Sequence, residues 1–257
     1  MTTYKQNKTT QIKRDVAILK FLAAGIATKS HLHNTIFFEN GVLAKRQVIE
    51  RRLNALLKNK YIDMQRYKSI KSNKNVPVYC LAIRGLYEIC RISNENFIEQ
   101  DYIRTGFPPP PKLIHELVLS EIVRTVWREA EQKKYDLIHI YDDQQMKRIK
   151  KPQKNVYYPD LHGCLITHKK EKFTFNIELD CGNKGQAYWC KKIKCWEETT
   201  YLIALNRRRL EQLIVYTQKL NLGRQTAFAL AKDFCRCGFS DTVWFWLPKK
   251  TNALMRL

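Results

Sequence analysis

The sequence predicts an α/β protein in two parts, a helix-rich cationic segment followed by a mixed-sheet segment. Three observations lead there. Apolar residues recur at helical spacing between Ile12 and Leu57, and two strand-like runs follow them. The run Gly106-Phe107-Pro108-Pro109-Pro110-Pro111 can enter neither a helix nor a central strand. From Leu113 onward, helical periods alternate with short runs rich in β-branched and aromatic residues. A length of 257 residues suits one large or two modest domains. The proline run therefore assigns residues 1–92 to a first domain, 93–112 to a linker and 113–257 to a second.

Charge narrows the class of partner. Lys and Arg total 46 against 24 Asp and Glu, a formal net charge of +22, and residues 1–92 alone carry 18 basic against 5 acidic side chains. That balance predicts a polyanionic partner bound mainly by the N-terminal part. No window approaches the roughly 18 to 20 apolar residues of a membrane span, so no membrane insertion is expected. The apolar stretch Val16 to Ala27 is interrupted by Lys20 and Gly25 and lacks a cleavage site in good context, which predicts a cytoplasmic protein. The eight cysteines include no CxxC pair, and Cys235-Arg236-Cys237 has no second ligand pair, so they are read as reduced thiols rather than a zinc site.

In the first part, Ile12, Val16, Leu19, Ala23 and Ile26 describe one amphipathic helix ended near Gly25. A second helix is expected from Ser30 to Phe38, a turn at Asn40-Gly41, and a third helix from about Leu43 to Lys58. The third helix places Ile49, Leu53, Leu56 and Leu57 on its apolar face. Gln47, Arg51, Asn54 and Lys58 lie opposite, flanked by Lys45 and Arg46, and these residue types suit base edges and phosphates. Strands are expected at Tyr61 to Tyr67 and Val76 to Ala82, around a cationic loop holding Lys68, Lys71 and Lys74. A short helix then opens at Arg84-Gly85. Three helices, a hairpin and a short helix, with Tyr79-Cys-Leu-Ala-Ile-Arg-Gly85 at the end of the wing, resemble the winged helix-turn-helix domains of bacterial transcription regulators. The resemblance implies that the third helix enters the major groove of double-stranded DNA while the hairpin lysines contact phosphates.

In the second part, Leu113, Leu117, Val118, Ile122, Val126 and Trp127 follow a helical period to Gln132. Strands are expected at Asp136 to Tyr141, Tyr158 to Thr167 and Lys172 to Asp180, and a helix at Gln186 to Trp196. A strand at Leu213 to Thr217, a helix at Arg224 to Cys235 and a strand at Thr242 to Leu247 complete the order αβββαβαβ. Along Phe173-Thr-Phe-Asn-Ile-Glu-Leu-Asp180 the alternation of a strand puts Asn176, Glu178 and Asp180 on one face. Pairing with the preceding strand would bring Asp160 of Tyr158-Pro-Asp160 to the same place. Three converging carboxylates need a cation, and hard oxygen ligands suit Mg2+ or Mn2+.

Pro159-Asp160 followed by Glu178-Leu179-Asp180 resembles the PD-(D/E)XK nucleases, whose core begins αβββαβ. Their motif has lysine where Asp180 stands, so the resemblance implies a restriction-endonuclease-like mixed-sheet domain whose lysine comes from the next helix. That helix offers Lys191, Lys192 and Lys194, with Lys192 the first choice and Lys184 a weaker one. The order of winged helix, His115-Glu-Leu-Val-Leu-Ser-Glu-Ile, Tyr158-Pro-Asp160, Ile177-Glu-Leu-Asp-Cys-Gly182 and a Lys-rich helix is similar to the MOBC-type plasmid relaxases and the related replication-relaxation family. That resemblance implies binding at an origin of transfer, nicking of one strand to start conjugative mobilisation, and relaxosome or coupling proteins as further partners, in a bacterium carrying a plasmid or other mobile element. The expected catalytic set is Asp160, Glu178, Asp180, Lys192 and Tyr188, with the three carboxylates as metal ligands and Glu116 or Glu121 in support. Water and a tyrosine, Tyr188 or Tyr201, remain alternative nucleophiles. His162 shares the strand face of Asp160 and is a further ligand or proton carrier to weigh. The competing class is a non-catalytic DNA-binding accessory or transcriptional repressor.

Overall fold

The structure is a computed structural model. It describes residues 2–39, 42–68, 74–93, 103–150, 157–182, 184–195, 198–220, 226–247 and 255–256. The turn expected at Asn40-Gly41 and the wing residue Lys71 lie outside these. The chain forms two compact units that divide after Ser120.

Unit 1 begins with α1 (Thr2–Ala23), β1 (Ala27–Thr28) and α2 (Lys29–Ile36), then β2 (Phe38–Glu39), β3 (Val42–Leu43) and α3 (Arg46–Lys58). A hairpin of β4 (Ile62–Lys68) and β5 (Asn75–Leu81) follows, then α4 (Ile83–Ser93). Ile18, Leu19, Leu22, Leu32, Phe37, Ile49, Leu53, Leu56 and Ile62 are buried. Of the stripe expected on the first helix, Leu19 and Ala23 are buried, but Ile12 is exposed, Val16 is half-buried and Ile26 lies beyond the helix end, so Ile18 and Leu22 take the inward positions. Thr28 caps α2 by accepting from the His31 amide at 3.2 Å. β5 lies between β1 and β4 in a three-stranded antiparallel sheet. The arrangement is that of a winged helix-turn-helix. Gly85 is held against the chain: a Cβ there would fall 2.0 Å from the Tyr61 carbonyl oxygen.

The division falls inside α5 (Leu113–Lys133) rather than at the proline run. Phe107, Leu113 and Leu117 pack around Ile26, Val78 and Cys80, and Gly25 abuts Ser120, so residues 103–112 of the expected linker count with unit 1, while residues 94–102 lie outside the described residues.

Unit 2 holds the remainder of α5, β6 (Asp136–Asp142), α6 (Asp143–Lys150), β7 (Leu161–Ile166), β8 (Lys172–Asp180) and α7 (Gln186–Lys194). It continues with β9 (Thr200–Ala204), α8 (Arg207–Gln218), β10 (Thr226–Leu230), α9 (Ala231–Asp241), β11 (Phe245–Leu247) and β12 (Met255–Arg256). The sheet order is β12-β11-β10-β9-β8-β7-β6. β6, β7 and β8 form an antiparallel meander, whereas β8, β9 and β10 run parallel through α7 and α8. One face carries Leu202, Ala204 and Phe228 against Trp189, Ile193, Leu210 and Leu213 of α7 and α8. On the other, Phe175 and Tyr201 meet Phe239 of α9 with centroids 4.9 and 5.0 Å apart. Glu129 of α5 accepts the Ser240 amide at 2.9 Å, joining α5 to α9 beside the positive-φ Gly238.

Several expectations need correction. Residues 213–217 form part of α8, not a strand: Asn206 caps the helix by accepting from the Arg209 amide at 3.0 Å, and Leu210, Leu213 and Thr217 are buried at helical spacing. Within the helix expected from Arg224 to Cys235, residues 226–230 form strand β10 and α9 follows, because Thr226, Ala227 and Phe228 are buried and paired with both β9 and β11; Arg224 and Gln225 lie outside the described residues. β9 and α6 were not expected. In unit 1, α3 starts at Arg46, leaving Lys45 at the cap position.

Candidate functional site

Two groupings of chemically able side chains stand out, one in each unit. On α3, Arg46, Gln47, Arg51, Asn54 and Lys58 are exposed while Ile49, Leu53 and Leu56 are buried, as the spacing required. Lys45 is exposed immediately before the helix, and Lys68 and Lys74 are exposed on the hairpin. Two tethers fix the helix from behind. Arg52 Nε donates to Asp15 Oδ1 at 2.8 Å and its Nη2 to Oδ2, tying α3 to α1 through a forked pair. Lys29 of α2 donates to Glu50 at 2.7 Å, and that bond holds the Glu50 carboxyl below its ordinary pKa. The tethers were not anticipated, since residues 37 positions apart in sequence carry no local signal. Arg66 of β4, also exposed, is a further cation that the sequence reading passed over.

In unit 2 the register sets Leu161 opposite Ile177, which brings Asp160 beside Glu178 at the end of the β7–β8 hairpin. The Asp160 amide donates to Glu178 Oε2 at 3.1 Å, and the Leu179 amide donates to Asp160 Oδ2 at 2.9 Å. From α7, Lys192 Nζ donates to Glu178 Oε1 and lies 3.8 Å from Asp160 Oδ1. Glu178 and Lys192 are buried, and Asp160 is partly open to solvent. Burial, then the charge of Asp160, raises the Glu178 carboxyl above its ordinary range, with the Lys192 ammonium pulling the other way. Burial also opposes the charge on Lys192, but Glu178 and Asp160 together outweigh it and hold the amine above the usual lysine range. Burial raises the Tyr188 phenol, whose ring has Lys184 Nζ at 5.1 Å and Lys192 Nζ at 5.9 Å from its centroid.

Asp180 does not join this group. It shares the strand face of Glu178, but Arg209 of α8 takes its Oδ2, and the Gly182 amide donates to its Oδ1 at 2.8 Å. The expected three-carboxylate cluster is therefore two carboxylates and a lysine, and among the described residues no three His, Cys, Asp or Glu side chains gather as a metal site. Arg209 went unread in the sequence because only α8, itself mistaken for a strand, delivers it. Glu116 pairs with Arg104 in unit 1, and Glu121 pairs with Arg124 at 2.7 Å. Tyr201 faces the aromatic side of the sheet, packed against Phe239 and Trp244. His162 Nδ1 bonds Asn176 Oδ1 at 2.9 Å, and Asn176 Nδ2 donates to Glu198 at 3.1 Å, so the imidazole is held within a polar row on the same face.

Asp160 and Glu178 match a divalent cation only in ligand type, since Lys192 engages Glu178 Oε1 and the Asp160 amide engages Oε2. Both offer hard oxygens, and Mg2+ is commonly held by one or two carboxylates with water and substrate phosphate completing its shell.

No family model matches the sequence, and no curated protein matches it. Among solved structures, a proposed transcriptional regulator from Thermoplasma acidophilum is 17% identical with a TM-score of 0.32, covering 34% of this chain and 82% of its own. PadR of Bacillus subtilis in complex with operator DNA is 17% identical with a TM-score of 0.27, over 47% of this chain and 71% of its own. ZitR of Lactococcus lactis in apo form is 15% identical with a TM-score of 0.26, over 58% and 83%. No helix among the described residues is long and apolar enough to cross a membrane.

Proposed function

We propose that the protein binds double-stranded DNA through α3 and the β4–β5 hairpin, and that its second unit cleaves a phosphodiester bond beside Asp160, Glu178 and Lys192. The binding half is carried by the exposed row Arg46, Gln47, Arg51, Asn54 and Lys58 on a helix pinned by Arg52–Asp15. Arg, Gln and Asn match base edges, while the lysines and Arg66 match phosphates.

The cleavage half rests on the lysine shared by two carboxylates. Burying such a group adds little stability over an apolar replacement, so its presence favours a chemical role. The order α5, β6–β7–β8 meander, α7 and parallel β9, with α6 inserted, agrees with the αβββαβ core of the PD-(D/E)XK resemblance. Lys192, which reaches Glu178 and Asp160 from α7, would take the part of the motif's lysine. Asp160 and Glu178 would hold Mg2+ or Mn2+, which supplies polarisation of the phosphate when bound. Lys192 would offset the charge that develops on the phosphate oxygens. Tyr188 or water would lose its proton and attack phosphorus, the P–O3′ bond would break, and the released 3′-oxygen would take up a proton, leaving a 5′-phosphotyrosine or a 5′-phosphate and a 3′-hydroxyl. Nicking at an origin of transfer to start plasmid mobilisation is the finer reading that the relaxase resemblance adds.

The second reading, a DNA-binding regulator or relaxosome accessory without catalysis, is favoured by one observation: Lys192 already engages the Glu178 oxygen a cation would use. Supercoiled plasmid carrying the element's own candidate origin separates the two. With Mg2+ or Mn2+, the nuclease reading requires open circles from the wild type and none from Asp160→Ala or Glu178→Ala. Duplex binding with no nicking under either metal would establish the regulator or accessory instead.

A further inference from the structure

Asp180 occupies the position where the Glu-x-Lys pattern would have its lysine, yet it is 2% exposed and bound to Arg209, itself 8% exposed. The pair bonds two residues of the connection that leads from β8 to α7, Gly182 and Lys184. Asp180 accepts the Gly182 amide at 2.8 Å, while Arg209 Nη2 donates to the carbonyl of Lys184. Arg209 Nη1 donates to Gln212 Oε1 at 3.0 Å, and its guanidinium lies 5.9 Å from the Tyr216 ring centroid, so the arginine is itself fixed on α8. The connection leads straight into α7. Gly185 at its cap position provides no side-chain hydrogen bond, so the start of α7 lacks the usual local anchor. Trp189 and Ile193 hold the helix's apolar face against the core.

We infer that Asp180 and Arg209 are positioning residues: by holding Gly182 and Lys184 they fix the approach to α7 so that it delivers Lys192 between Asp160 and Glu178. This deepens the nuclease reading and rests on it for its catalytic meaning, but the clamp itself can be tested without catalysis. Asp180 is accordingly not a metal ligand. An arginine serves where a lysine would not, because only a planar fork reaches the Asp180 carboxylate and the Lys184 carbonyl at once.

The test compares the full chain with Asp180→Asn, Arg209→Gln, Arg209→Lys and the Asp180→Asn/Arg209→Gln double variant. The double variant removes both buried charges together and so avoids the unpaired charge left by either single change. Brief acetylation of lysines, read by mass spectrometry, reports how well Lys192 is enclosed, with exposed Lys112 and Lys232 as internal standards. Labelling of Lys192 is expected to rise about ten-fold in all four variants relative to those standards. Mn2+ affinity by calorimetric titration should stay within about two-fold of wild type in Asp180→Asn, while Asp160→Asn abolishes it. If the wild type nicks, kcat should fall about 100-fold with KM little changed. Unchanged Lys192 labelling in the double variant, or an Mn2+ affinity lost in Asp180→Asn as in Asp160→Asn, would overturn the inference. A wild type that neither nicks nor binds Mn2+ would remove the nuclease reading alone, because the labelling still decides whether the clamp exists.

Discussion

Replacing Gly163 by alanine tests the register that sets Asp160 beside Glu178. Gly163 of β7 faces Phe175 of β8, and a Cβ on it would fall 2.2 Å from Cζ, 2.7 Å from Cε2 and 2.9 Å from Cε1 of that ring. The ring is fully buried and already touches Phe173 and Phe239, with centroids 5.6 and 4.9 Å away, so it has no empty space to enter. Restoring ordinary contact requires a displacement of more than about 1 Å in a close-packed interior, and overpacking of this kind costs about 2 to 3 kcal/mol. Urea unfolding of the variant, followed by the fluorescence of buried Trp189 and Trp244, should therefore have its midpoint about 1 M lower. Phe175→Leu makes room for the methyl group. The double variant should consequently be more stable than the sum of the single effects predicts, by about 1 kcal/mol or more. Additivity within about 0.5 kcal/mol, or a Gly163→Ala variant as stable as wild type, would refute the packing argument and with it the stated proximity of the two strands.

Gly85→Ala meets backbone rather than side chain, the Tyr61 carbonyl oxygen at 2.0 Å; the clash should outweigh alanine's helical advantage and cost at least about 2 kcal/mol, seen as an earlier urea transition. Arg51→Ala should lose about 1 to 3 kcal/mol of discrimination at one base pair, whereas Lys68→Ala should weaken all duplexes alike and lower the salt slope by about 1; gel shifts across a salt series that treat both variants equally would contradict this division of roles. Lys192→Met leaves Asp160 and Glu178 together without their cation, which should cost about 3 kcal/mol by denaturation, with Glu178→Gln in the same background recovering part of it. Burial, then the neighbouring His162, lowers the His139 pKa, so the fold favours neutral imidazole. Its contribution should be full above about pH 6.5, the unfolded value, and should be lost as pH falls from there through the folded value. His139→Phe should flatten that portion of the stability profile.

Elements whose signal is local were readable. The stripe on α3 needed only a period of 3.6, and the alternation in β8 correctly set Glu178 and Asp180 on one face. The pairing of Asp160 with Glu178 followed from adjacent strands joined by a short turn. What sharing a face could not reveal was which neighbour each acid meets. Asp180 goes to Arg209, 29 positions away on a helix whose β-branched residues resembled a strand when read without Asn206. β10 was lost for the opposite reason, since its alanines favour a helix and only enclosure between two strands makes them extended. The boundary at the proline run followed composition, whereas packing of Leu113 and Leu117 beside Ile26 and Val78 decides where unit 1 ends.

The β7–β8 connection has a practical use. It turns through exposed residues 168–171, with Lys170 at φ 60° and its amide bonded to the Thr167 carbonyl at 2.8 Å. Asp160 precedes the other end of β7, so the six residues of that strand separate turn and carboxylates by about 20 Å. A fluorophore, an affinity handle or a short inserted peptide at this tip would report on or immobilise the second unit while leaving Asp160, Glu178 and Lys192 undisturbed, because exposed hairpin ends accept added chain more readily than any other part of a sheet.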